Sequence, residues 1–256
     1  MAEYRNAGAR TVPAAGTRAD IDQGLRSYML KVYNLMAGGL ALTGVAAYVL
    51  YSLSVTGEAT AYQVRPDLYL TELGYTVFMS PLKWVLMLAP LAMVFFLSFR
   101  VHKMSVQAAQ ATFWTYAAMV GLSLSTIFLV YTQESITQVF FITAASFGAL
   151  SLWGYTTKRD ISGWGSFLFM GVIGIVIAMV VNIFLASPAL QFAISAIGVL
   201  VFAGLTAYDT QQIKEMYYEG DGSAVMGRKA VMGALRLYLD FLNMFLFLLQ
   251  LFGNRN

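Results

Sequence analysis

Seven long apolar runs divide this chain, and they leave few folds open to it. A bilayer hydrocarbon core about 30 Å thick is crossed by roughly 20 apolar residues in a helix. The runs are Tyr28–Leu53, Val77–Phe99, Ala108–Val130, Val139–Tyr155, Trp164–Ala186, Ala189–Tyr208 and Leu235–Phe252. Backbone groups inside lipid must find partners within the protein, so the runs read as helices and the chain as an all-α integral membrane protein. The fourth and seventh runs are short. At about 1.5 Å per residue the seventh spans roughly 27 Å and just reaches across. Six spans with a re-entrant seventh segment is the alternative.

Composition narrows the function. At 59% hydrophobic and 11% charged, the chain is too apolar for a soluble domain of its length. The absence of Cys excludes disulfides, cysteine catalysis and thiolate metal sites, and the single His102 leaves no zinc or haem constellation. No permanently bound cofactor is expected. The net charge of +3 is scattered singly between the apolar runs. That is the pattern of membrane topology, not of nucleic-acid binding.

With the N-terminus inside, 13 of the 16 Lys and Arg fall on inner segments; Arg65, Lys83 and Arg255 are outside. This bias predicts seven spans, a cytoplasmic N-terminus and an outer C-terminus. Residues 1–27 lack a compact apolar segment and read as a mobile cytosolic tail, not a cleaved signal. Residues 28–253 form one membrane domain, with residues 54–76 as its sizeable outer loop. No internal repeat is visible, which argues against inverted-repeat transporters.

Two acids stand where a membrane helix should not carry them. Asp209 closes the sixth run in A-Y-D-T-Q, and Asp240 lies inside the seventh in L-Y-L-D-F-L-N. A carboxylate at membrane depth costs several kcal/mol, of order 3, unless it finds a partner, water or an ion. Helical spacing puts Gln191, Ser195, Gly198, Phe202, Thr206 and Asp209 on one face of the sixth span. Arg236, Asp240, Asn243, Phe247 and Gln250 share a face of the seventh. These polar stripes should face protein, not lipid. Topology then places both acids near the cytoplasmic end, as candidates for an ion or proton site and the only candidate metal ligands. Thr206, Asn243 and Gln250 are candidate lining residues. Asn182, in the fifth span, reads as polar glue between helices or as a lining group.

A plainer reading stands beside this one. Asp209 ends a helix at the interface, and Asp240 pairs with Arg236 one turn away, an orientation worth about 0.3 kcal/mol at a surface. Arg100, at the inner end of the second span, is the other candidate partner for Asp240. Spacing leaves the choice between Arg100 and Arg236 open. The remaining glycines and aromatics are structural: Gly38, Gly39, Gly44, Gly171, Gly174 and Gly204 permit close helix approach. Trp153, Trp164, Tyr155 and Tyr75 fall at span ends, as an aromatic belt requires.

The motifs A-Y-D-T-Q at 207–211, L-Y-L-D-F-L-N at 237–243 and G-Y-T-T-K-R-D-I-S-G-W-G at 154–165 closely resemble those of the Bax inhibitor-1 family, also called transmembrane Bax inhibitor motif proteins. The resemblance runs from about residue 25 to 253 and is to a bacterial member. It implies residence in the bacterial inner membrane, with two three-helix layers around a central C-terminal helix. It also implies a pH-sensitive calcium leak governed by a hydrogen-bonded aspartate pair, here Asp209 and Asp240, with a latch arginine from the second span. Arg100 matches that arginine by position only. Calcium and protons are then the partners, with the bilayer, and calcium is cargo.

Two rival functions remain. Tyr208–Asp209 fits the first half of a membrane aspartyl protease, but Leu237–Tyr238–Leu239–Asp240 lacks the G-x-G-D of the second half. Pro188–Leu190 also precedes both acids, where such enzymes place that tripeptide after them. The chain is therefore expected not to be an enzyme. A scaffold regulating a membrane protease or another membrane protein, through the basic tail, is the alternative function. A pH response through the acid pair is expected, its direction left open by two opposing routes: repulsion when the shared proton leaves, or a weakened arginine tie when Asp240 is protonated. His102 is the rival sensor.

Overall fold

A computed structural model describes the backbone of residues 18–256 and the side chains of residues 23–256. Seven of its helices are long and apolar enough to cross a membrane. They are α1 (Arg18–Ser54), α3 (Leu82–Arg100), α4 (Val106–Leu124), α6 (Gln133–Thr156), α7 (Trp164–Leu185), α8 (Pro188–Glu215) and α9 (Ser223–Phe252). Two short helices, α2 (Glu72–Phe78) and α5 (Ile127–Val130), complete the set.

The sequence marks where these helices begin. Ser105, Thr132 and Ser187 each accept a hydrogen bond from the backbone N–H three residues on, and Pro188 follows the last of them. A side-chain oxygen there satisfies one of the donors that a helix start leaves free, and proline at the first position loses nothing.

Several boundaries differ from the hydropathy reading, for one physical reason. A helix continues into polar sequence as long as its backbone bonds hold, whereas an apolar run stops at the first charges. Thus α1 starts at Arg18, so residues 18–27 are helical and not tail; residues 1–17 lie outside the described residues. The fourth span gains a polar first turn from Gln133, and the seventh extends back to Ser223. The last helix is therefore 30 residues long, a full span and not a re-entrant stub. The connection between α8 and α9 is residues 216–222. The second span starts at Leu82, not Val77, because Pro81 separates it from α2.

The loop 54–76 is not irregular. It holds β1 (Val55–Thr56), β2 (Gln63–Arg65) and β3 (Leu68–Leu70), antiparallel in the order β1-β3-β2. Leu70 is buried there with Val77 and Phe78 of α2.

α9 is the most enclosed span: 72% of its apolar window is buried, against 33% or less for the others. It packs against α1, α4, α6 and α8. Tyr238 is fully buried among Phe113 and Tyr116 of α4, both edge-on to its ring. Its hydroxyl lies 2.7 Å from Thr43 Oγ1. Thr43 directs its own hydrogen to the carbonyls of Gly39 and Ala117, so Tyr238 is the donor. By contrast α7 exposes Phe167, Met170, Ile177 and Phe184, an apolar surface of the kind that faces lipid.

Candidate functional site

α8 and α9 lie side by side and carry the two acids inward. Asp209 falls six residues before the end of α8, where it is half-buried. Asp240 sits 17 residues into α9, about 26 Å from its start at 1.5 Å per residue. It is only 4% exposed. The two carboxyl groups are within hydrogen-bonding reach of each other. Asp240 Oδ2 is buried and has no hydrogen-bond partner among the described residues.

Arg236 stands close enough for its charge to act on both acids. It is nevertheless exposed, and among the described residues neither acid is in an ion pair. Arg100 is also exposed, at the end of α3. The structure brings Arg236, not Arg100, toward the acids.

The candidate lining residues occupy the α8–α9 seam and the α7–α8 turn. Thr206 is fully buried and donates to Phe202 O at 2.8 Å. Asn243 Nδ2 donates to Leu239 O, also at 2.8 Å. Each thus donates a hydrogen bond to a carbonyl of its own helix. Next along it, Phe202 and Phe247 pack ring to ring with centroids 5.9 Å apart. A Cβ at Gly198 would come within 2.6 Å of the Phe247 ring, so only glycine lets that ring lie flat on α8.

Beyond the aromatic pair the seam turns polar again. Gln250 Oε1 accepts from Gln191 Nε2 at 2.6 Å and lies 2.8 Å from Ser195 Oγ. Asn182 Nδ2 donates to Gln191 Oε1 at 3.1 Å, while Asn182 Oδ1 accepts from Ser187 N. Asn182 thus ties α7, the turn and α8 together, at a place where Ala186 adopts a left-handed conformation. These groups, with Arg255, border a cavity of about 360 Å³.

Three contacts that spacing alone does not reveal hold the Asp209 end in place. Gln211, two residues after Asp209, accepts from Ile161 N at 2.9 Å and donates to Arg159 O at 2.8 Å. A buried amide thereby clasps both polarities of the α6–α7 loop. Gly154 lies directly on the backbone of Ala207, where a Cβ would meet the Ala207 carbonyl. Tyr33, Ser151 and Thr210 form a hydroxyl chain, 2.7 Å and 2.8 Å long, whose last hydrogen goes to Thr206 O. The only advance signal was that Gly154, Asp160 and Gln211 belong to recognisable motifs.

Motifs far apart in sequence therefore interlock around one carboxylate pair. The family model described as "Inhibitor of apoptosis-promoting Bax1" matches residues 25–256. The chain belongs to this family. A protein of Caulobacter vibrioides is 44% identical over 99% of this chain and 98% of its own length. The inner membrane protein YbhL of Escherichia coli is 46% identical over 91% of this chain and 93% of its own. A relative from Deinococcus radiodurans is 40% identical over 92% and 94% respectively. The chain is a seven-helix membrane protein of the Bax inhibitor-1 family, and these three relatives are bacterial.

Proposed function

We propose that this protein is a pH-responsive calcium leak, not an enzyme, with Asp209 and Asp240 as its ion and proton site. The observation that carries this reading is the close carboxyl pair, with Asp240 buried and its Oδ2 without a hydrogen-bond partner among the described residues. A pair this close cannot easily hold two negative charges, so one proton is naturally shared until a cation or higher pH removes it.

Calcium is a hard cation that takes six to eight oxygen ligands. Two carboxyl groups, with Thr206 and Asn243 along the same seam, supply only some of them. No cluster of three or more His, Asp or Glu exists among the described residues. Such a partial shell suits an ion in transit with its remaining water, not a stored one.

The seam offers a route: polar at Gln250, aromatic at Phe202 and Phe247, acidic at Asp240. Packed as it is, the aromatic section closes that route. The basic-residue bias supports a cytoplasmic N-terminus and an outer C-terminus, which puts the acids nearer the cytoplasm and the Gln250 cavity on the outer side.

The test is calcium efflux from proteoliposomes. Wild type should leak calcium above protein-free vesicles, and Asp209→Asn with Asp240→Asn should return the rate to background. Equal rates for wild type and the double variant would refute the reading.

A further inference from the structure

One face of the first half of α9 carries Val225, Arg228, Lys229, Met232 and Arg236, at spacings of one, three and four residues. Together with His102 and Met216 this face encloses a cavity of about 270 Å³. That volume holds about nine waters at liquid density. It is lined by four basic side chains and no acid.

These cations are unequally balanced. Lys229 is already committed, to Asp221 in an ion pair and to the carbonyl of Met216 at 2.8 Å. Arg228 makes one long bond, 3.5 Å, to Met104 O. Arg236 has no ion pair among the described residues. Close by, the hydroxyl of Tyr28 is buried without a hydrogen-bond partner, in electrostatic reach of Arg236 and Asp221. Beyond that one long bond, the guanidinium groups of Arg228 and Arg236 make no hydrogen bond or ion pair among the described residues. Guanidinium geometry matches phosphate oxygens in pairs, and basic pockets between helices near the headgroup level hold anionic lipid.

We propose that this cavity binds a phosphate ester, gripped by Arg228 and Arg236. The ligand is either the headgroup of an anionic phospholipid or a soluble phosphate; the oxygen chemistry is the same. The site also has a regulatory consequence, which rests on the leak reading above. Arg236 is the cation that acts on both Asp209 and Asp240. A phosphate that engages Arg236 offsets that field, so occupancy displaces the pH at which the leak responds.

The experiment uses the full chain in a maltoside detergent, which carries no phosphate. One arm titrates inorganic phosphate, the other a short-chain phosphatidylglycerol, with the thermal unfolding midpoint as readout. Wild type should be stabilised by at least one of them, and which one identifies the source. Arg228→Gln should weaken that binding about tenfold, the scale of one charge-assisted hydrogen bond. Val225→Trp, which fills the cavity and leaves every charge in place, should weaken it as well. Stabilisation by neither ligand, or equal binding by wild type and both variants, overturns the proposal. No flux is measured, so this site can fail while the aspartate reading stands, and the reverse.

Discussion

Gln191 of α8 donates to Gln250 of α9 across 2.6 Å, and this bond clamps the two helices at the end opposite their acids. The same Gln250 oxygen lies 2.8 Å from Ser195 Oγ. One end of the seam is thus tied by neutral hydrogen bonds, while the other holds two carboxyl groups whose mutual preference depends on a proton.

Gln250→Leu removes the acceptor and leaves the Gln191 amide in want of a partner. Stability should fall by about 0.5–1.5 kcal/mol, the net worth of a hydrogen bond between half-buried groups. Thermal unfolding of purified protein in detergent measures this. An unchanged midpoint would mean that the clamp contributes nothing.

Phe247→Ala deletes the ring that packs on Phe202 and over Gly198. The cavity should cost about 3–5 kcal/mol and join the polar cavity at Gln250 to the acids. Basal calcium efflux in proteoliposomes should therefore rise. A destabilised variant with wild-type efflux would show that the aromatic pair is packing and not a barrier.

How much of this was legible beforehand differs by residue. The seven spans were, because lipid demands long apolar helices and leaves no substitute. The face of α8 was too, since Ser195, Gly198 and Thr206 follow from helical spacing and the structure buries all of them; on α9 it buries Asp240 and Phe247 but leaves Arg236 exposed. Helix ends were not: the polar turns before Leu235 and after Tyr208 carry no hydropathy signal, yet they place Asp240 deep in its helix. Nor was the role of Gln211. Its partners are backbone atoms of residues 159 and 161, 50 positions or more away, and no side-chain pattern encodes a backbone acceptor.

Gln211→Leu should release the α6–α7 loop by removing both of its bonds to α8. Ile161 N, buried in that loop, loses its acceptor. Proteolysis at residues 157–163 should accelerate and the unfolding midpoint should drop, a loss of about 1–3 kcal/mol. Asp160 in the same loop is held below the usual carboxylate range by hydrogen bonds from the Ser162 hydroxyl and backbone N–H. The sign follows: its contribution is present above the ordinary carboxylate pKa and is lost only as pH falls through the lowered value. Asp160→Asn should leave any flux response between about pH 6 and 8 in place, because the native carboxylate stays ionised throughout that range.

Both arginines are exposed, but only Arg236 acts electrostatically on the two acids. Arg236→Gln should alter basal flux within the five- to 150-fold range of a coupling worth about 1–3 kcal/mol, and should displace the midpoint of the flux–pH curve. Arg100→Gln, exposed at the end of α3, should change both by less than about twofold. The opposite ranking would restore Arg100 as the latch that position alone implied.

The central claim is that the carboxyl pair senses pH, and the measurement that reaches it most directly is the flux–pH profile of Asp209→Asn beside that of His102→Gln. Calcium efflux of the wild type should change between about pH 6 and 8, as expected of a carboxyl pair sharing a proton at membrane depth. Asp209→Asn should flatten the profile and His102→Gln should preserve it. A flat profile in the histidine variant, with the wild-type profile kept in the aspartate variant, would contradict the claim.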